Sequence, residues 1–217
     1  MNNILDTIRQ LGIVPVIKID DPGQAVPLAQ ALQAGGLPLA EVTFRTDSAA
    51  QAIRNITAEC PDVLVGAGTV TTTDQVDAAL EAGAVFMVSP GFNPGVVRYC
   101  IEKNVPVFPG TCTPSEMEQA MELGLKTVKF FPAEAAGGVA FLKAVGGPYP
   151  QLRFMPTGGI HAGNIASYLK LKNVVACGGS WMVPADRIAA GDFKAVTALT
   201  AEAVALVRQC RQEGASI

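Results

Sequence analysis

Thr127-Val128-Lys129-Phe130-Phe131-Pro132-Ala133-Glu134 reads as a buried β-strand with one ammonium inside it. Val128, Phe130 and Phe131 are apolar, and Pro132 ends the run. A lysine in such a strand is costly unless it snorkels, pairs or loses its proton. Desolvation lowers the pKa of a lysine and leaves a nucleophilic amine near neutral pH. Lys129 is therefore a candidate Schiff-base former. The plainer reading is a stem packed on the strand with its head in water.

The same kind of strand recurs on both sides of this one. Short apolar runs at 13–19, 39–45, 63–70, 85–90, 106–112, 127–132, 153–157 and 174–178 alternate with periodic helical segments. Those segments fall at 22–34, up to 58 behind an Asp47 cap, 74–82, 94–103, 114–123, 139–145, 162–169 and onward to the end. The strands are apolar nearly throughout instead of alternating, as expected of a parallel sheet covered on both faces. Gly35-Gly36, Gly83 and Gly124 are good helix carboxyl-end signals. Eight strand–helix units in about 200 residues predict a compact (β/α)₈ barrel of the TIM type, one domain over residues 1–217. An amphipathic helix over 1–12, with Ile4, Leu5, Ile8 and Leu11, adds to its amino end. An open flavodoxin-like sheet is the other candidate, and it leaves two or three units unexplained.

Composition agrees with a large core. Of 217 residues, 49% are hydrophobic and only 16% charged, so little of the chain looks disordered. The net charge of −3 and the absence of a basic run argue against a nucleic-acid surface. An anionic substrate needs local donors. Five scattered cysteines without CxxC spacing read as reduced thiols of a cytoplasmic protein. Cys112 and Cys177 lie in or end apolar strands, where a thiol is core filler. The segment 1–12 lacks the features of a signal peptide, and no apolar run reaches membrane-spanning length, so no membrane contact is expected. With His161 the one histidine, a metal site built on several imidazoles is excluded by inventory.

Chemistry in such barrels sits where strands run into the following loops. The second strand ends Glu41-Val42-Thr43-Phe44-Arg45, and alternation puts Glu41, Thr43 and Arg45 on one side. If that side faces the lumen, a carboxylate and a guanidinium enter it together. A lumen ion pair that only supports packing is the bland alternative. The third strand ends Gly66-Ala67-Gly68-Thr69, leaving space and one hydroxyl. The seventh ends Thr157-Gly158-Gly159, and the eighth Gly178-Gly179-Ser180. Glycine lets backbone N–H groups approach an anion, and the loops after the last two strands are the usual phosphate place in this fold. Amine, carboxylate and phosphate cradle thus converge on one rim.

Carrying LAEVTFRT (39–46), VGAGTV (65–70), VSPG (88–91), VKFFPAE (128–134), FMPTGGI (154–160) and GGSWMVP (178–184) in order, the chain resembles the 2-keto-3-deoxy-6-phosphogluconate (KDPG) aldolases. These are class I, Schiff-base lyases with a (β/α)₈ barrel. The resemblance covers nearly the whole chain. It implies Lys129 as the Schiff-base lysine, Glu41 as the acid/base and Arg45 as the partner of the substrate carboxylate. It further implies Thr69 and Thr157 as hydroxyls near the substrate, and Gly158, Gly159, Gly179 and Ser180 as the phosphate segment. Phe131 and Pro90 match apolar walls of the pocket. It implies a homotrimer without metal or organic cofactor, acting on a phosphorylated keto acid and pyruvate. The fifth strand departs from the family by running into Thr111-Cys112 where isoleucine and serine are commoner, which bears on substrate preference. Thr157 before Gly158-Gly159 resembles the gluconate-type enzymes more than the galactonate-type.

The activity so implied is cleavage of KDPG to pyruvate and glyceraldehyde 3-phosphate. Cleavage of 4-hydroxy-2-oxoglutarate is an activity the family often shares. Alternatives are 2-dehydro-3-deoxy-6-phosphogalactonate cleavage, a phosphosugar isomerase or epimerase with Glu41 as base, and a non-catalytic anion-binding barrel.

Overall fold

The computed structural model describes residues 4–214. Residues 1–3 of the expected amino-terminal helix lie outside them. Helix α1 (Ile4–Leu11) buries Ile8 and leads through Gly12 into β1 (Ile13–Ile17). There follow α2 (Ala25–Ala34), β2 (Leu39–Thr43), α3 (Ala49–Glu59), β3 (Leu64–Gly68), α4 (Thr73–Glu81), β4 (Met87–Val88) and α5 (Pro94–Glu102). Next come β5 (Val107–Phe108), β6 (Gly110–Thr111), α6 (Pro114–Glu122), β7 (Thr127–Phe130), α7 (Gly138–Val145) and β8 (Arg153–Pro156). The chain finishes with α8 (Ile165–Leu169), β9 (Cys177–Gly179), α9 (Ala185–Ala189) and α10 (Phe193–Gly214).

Every strand pairing is parallel. One sheet runs β5-β4-β3-β2-β1-β9 and a second runs β6-β7-β8, with isolated parallel bridges Phe154–Val174 and Thr157–Gly178 beside β8. The parallel strands curl into a half-barrel, so that Lys129 on β7 meets Glu41 on β2 although the two belong to different sheets. The expected fifth strand is two short ones, because Pro109 has no N–H for a ladder. Its carbonyl still accepts from Lys129 N–H at 2.9 Å.

Local signals explain three helix starts. Thr72 and Asn93 cap α4 and α5 with side-chain acceptors. Thr113 and Glu116 form a reciprocal capping box at α6. The Asp47 cap needs correction: Ser48 holds the position before α3, without a side-chain cap bond. Its hydroxyl donates instead to the Asp20 carbonyl at 2.8 Å. Gly36, Gly83 and Gly124, each just past a helix, take positive φ, as their helix-ending role requires. Among the described residues, no helix is long and apolar enough to cross a membrane.

Candidate active site

Lys129 is held by its strand. It pairs in register with Gly110 on β6 and Met155 on β8, and Val128 and Phe130 beside it are fully buried. The side chain itself is 7% exposed, which removes the reading of a head in water. Lys18 and Lys126, the other lysines near strand ends, are exposed. Nζ of Lys129 lies 3.6 Å from Oε1 of Glu41 and 5.3 Å from the centre of the Phe131 ring. Glu41 is 3% exposed, and among the described residues its Oε1 has no hydrogen-bond partner. A buried carboxylate oxygen left unpaired is costly, and a structural ion pair would close to hydrogen-bonding distance. That oxygen is open to accept from a hydroxyl placed between it and the amine.

Small residues make the room. Glu41 pairs in register with Gly66 and Val16, and the place of a Gly66 side chain is taken by the Phe86 ring. Pro90, half-buried, puts its carbonyl 2.0 Å from where a Cβ of Gly110 would stand. Only glycine at 110 lets the loop after β4 approach β6 this closely. Phe131 closes another side, with its ring 3.3 Å from a Cβ position at Gly158.

Arg45 is a partial correction. The second strand, expected to run to Arg45, stops at Thr43, and Arg45 is exposed beyond it. Its Nε donates to Thr43 Oγ1 at 3.0 Å, and that hydroxyl donates to the Ile17 carbonyl at 2.7 Å. The guanidinium is thus tethered to the strand end by a buried threonine. Thr69 has φ of 57°, a left-handed conformation uncommon for a branched residue, just past β3.

Thr157 is buried and bridges to Gly178 on β9's side, where a Cβ would stand 2.3 Å from the threonine hydroxyl. Gly158 and Gly159 take φ of 99° and 78°, which a side chain would resist. Gly179 lies under the Trp181 ring, and Ser180 is exposed at the end of β9. The expected residues therefore gather around strand carboxyl ends. Residues without a sequence-derived role also join them: Thr43, Gly68, Glu134 and Tyr168. Gly68 and Glu134 stood inside quoted motifs; Tyr168 had only a helical spacing from Ile165 to signal burial. Among the described residues, no three or more His, Cys, Asp or Glu side chains could together hold a metal ion.

The chain has known relatives. The model of the KDPG and KHG aldolase family matches residues 4–199. The chain belongs to that family. It is 51% identical to 2-dehydro-3-deoxy-phosphogluconate aldolase of Treponema pallidum over 95% of this chain and 99% of that one. It is 50% identical to the KHG/KDPG aldolase of Escherichia coli K12, over 88% and 90% of the two chains. Among solved structures, KDPG aldolase from Legionella pneumophila aligns with TM-score 0.89 and 40% identity, over 92% of this chain and 97% of that one. That aldolase was crystallised with pyruvate captured at low pH as a covalent carbinolamine intermediate. The aldolase of Zymomonas mobilis ZM4, with 3-phosphoglycerate, aligns at TM-score 0.88 and 40% identity, over 94% and 96% of the two chains.

Proposed function

We propose that the protein is a class I aldolase that cleaves KDPG to pyruvate and glyceraldehyde 3-phosphate, with Lys129 as nucleophile and Glu41 as acid/base. The observation that carries this is the 3.6 Å approach of Lys129 Nζ to a Glu41 oxygen that has no hydrogen-bond partner, both side chains being buried. Lys129 attacks C2 of the keto acid to give a carbinolamine, which loses water to form an iminium. Glu41, through a water, takes the proton of the C4 hydroxyl. The C3–C4 bond breaks, its electron pair moves into the iminium as an enamine, and the aldehyde leaves. Glu41 returns the proton to C3, and hydrolysis frees pyruvate and the amine.

Arg45 pairs with the substrate carboxylate, a bidentate match for a guanidinium. Thr69 and Thr157 present hydroxyls to the substrate, and Phe131 and Pro90 wall it. Gly158, Gly159, Gly179 and Ser180 hold the phosphate; the left-handed glycines support this, since they let N–H groups approach an anion.

The reading takes the strands as a closed (β/α)₈ barrel with α1 added at its amino end. The bridges Phe154–Val174 and Thr157–Gly178 support it, because they link β8 toward β9. One domain over residues 1–217 is supported by a continuous core from Ile8 to Val207. A homotrimer, which rests on the family resemblance, and a cytoplasmic location, which rests on the scattered thiols, complete the reading.

The test is a panel of KDPG, its galactonate counterpart and 4-hydroxy-2-oxoglutarate, assayed for pyruvate release. KDPG is expected to give the highest kcat/KM. Pyruvate release from none of them would remove the aldolase reading in favour of an isomerase.

A further inference from the structure

Glu134 follows the Lys129 strand and sits against the glycines that follow β8. Its N–H donates to the Gly158 carbonyl at 3.1 Å. Its Cγ lies 2.6 Å from where a Cβ of Gly159 would be, so the side-chain stem rests on the Gly159 backbone. The Gly159 carbonyl accepts from Asn164 Nδ2 at 2.9 Å. Glu134 is exposed as a residue, but its Oε1 accepts a hydrogen bond from Tyr168, whose side chain is fully buried in α8. Burial first, and then the Glu134 carboxylate, raise the Tyr168 phenol, so it is a fixed donor at neutral pH. Gly138 completes the contact: a Cβ there would stand 2.9 Å from the Tyr168 hydroxyl.

A carboxylate beside a phosphate cradle is a liability, since like charges at close range repel. It is tolerable only where something turns it away from the anion. We infer that Tyr168 and Glu134 are positioning residues that shape the Gly158-Gly159 cradle and so set the preference for phosphorylated over unphosphorylated ligands. This rests on the phosphate role proposed above for those glycines. Tyr168 holds the Glu134 carboxylate on the side away from the cradle, and the Glu134 stem braces Gly159. Without the phenol, the carboxylate is free to swing toward the bound phosphate.

The experiment compares wild type, Tyr168→Phe, Glu134→Ala and Glu134→Gln. Two readouts are taken on each: KM for KDPG, and the pyruvate concentration that half-saturates borohydride trapping. Tyr168→Phe and Glu134→Ala are expected to raise KM for KDPG about tenfold, the scale of a lost hydrogen bond to a charged group. Half-saturation by pyruvate, which has no phosphate, is expected to stay in place. Glu134→Gln keeps the acceptor and the stem, so its KM is expected to stay near wild type. Equal shifts in both readouts, or no shift for KDPG, would overturn the inference while leaving the aldolase reading intact. Glu134 is a surface residue, so its variants decide the matter if Tyr168→Phe does not fold. A wild type whose KDPG turnover is not competed by inorganic phosphate would instead remove the cradle, and the inference with it.

Discussion

Gly68 and Glu41 occupy one space: a Cβ on Gly68 would stand 2.3 Å from Glu41 Oε1. The two sit on paired strands, with Glu41 opposite Gly66 and Gly68 opposite Thr43. The carboxylate therefore lies across the end of β3 and is aimed at Lys129 because position 68 has no side chain. Gly68→Ala is expected to push the carboxylate off and lower KDPG cleavage by about 10²-fold, at the lower edge of what a lost acid/base contributes. Glu41→Gln, which keeps the shape and removes the base, is expected to match it. Steady-state pyruvate release checks both; wild-type turnover in Gly68→Ala would mean the carboxylate does not need this place.

Thr43, a buried residue, ties Arg45 to the body of the protein through a hydroxyl that donates to the Ile17 carbonyl. Thr43→Val keeps the shape and removes the tether. It is expected to raise KM for KDPG about tenfold with a smaller change in kcat, as loss of one charge-assisted hydrogen bond allows. Thr43→Ser is expected to restore the wild-type value. A kcat loss without a KM change would place Thr43 elsewhere in the reaction.

The parts of this picture legible from sequence alone were those governed by local chemistry. Lys129 within an apolar run, the glycine pairs after two strands and the helix-ending glycines at 36, 83 and 124 each follow from a few neighbouring residues. The errors arose where distant pairing decides. β2 stops at Thr43 because its ladder with β3 stops at Gly68, and nothing near Arg45 signals that. Pro109 divides a strand that reads as continuous, because β5 pairs with β4 and β6 with β7. The Tyr168–Glu134 contact joins residues 34 positions apart, beyond any periodicity.

Glu116 provides a pH-dependent check on α6. Burial alone would raise its carboxyl, but hydrogen bonds from the Cys112 N–H and from the hydroxyl and N–H of Thr113 outweigh that and hold it below the usual glutamate value of 4.5. A depressed folded-state pKa gives stability that is present above the unfolded value and lost as pH falls through the folded one. Glu116→Gln is expected to cost about 1 kcal/mol at pH 7, the scale of a helix cap. In urea titrations that difference is expected to shrink below about pH 4.5. A gap that stays constant into acid would deny the carboxylate its capping role.

Thiol labelling reports on the packing. Cys60, Cys100, Cys177 and Cys210 are buried, and only Cys112 is half-buried. Burial pushes the Cys100 thiol up to about 11 and raises Cys177 strongly, so neither offers thiolate near neutrality. Iodoacetamide on the native protein is expected to modify Cys112 first, with peptide mass spectrometry as the readout. Early labelling of Cys177 would mean that the β9 side of the core is open.

The central claim is that the Lys129 amine bonds to the keto carbon. Incubation with pyruvate and borohydride, followed by peptide mapping, tests it most directly. The expected result is one reduced pyruvate on the peptide that contains Lys129, with none when Lys129 is replaced by Met. A stable adduct on Lys18 or Lys126, or no adduct while turnover continues, would contradict it.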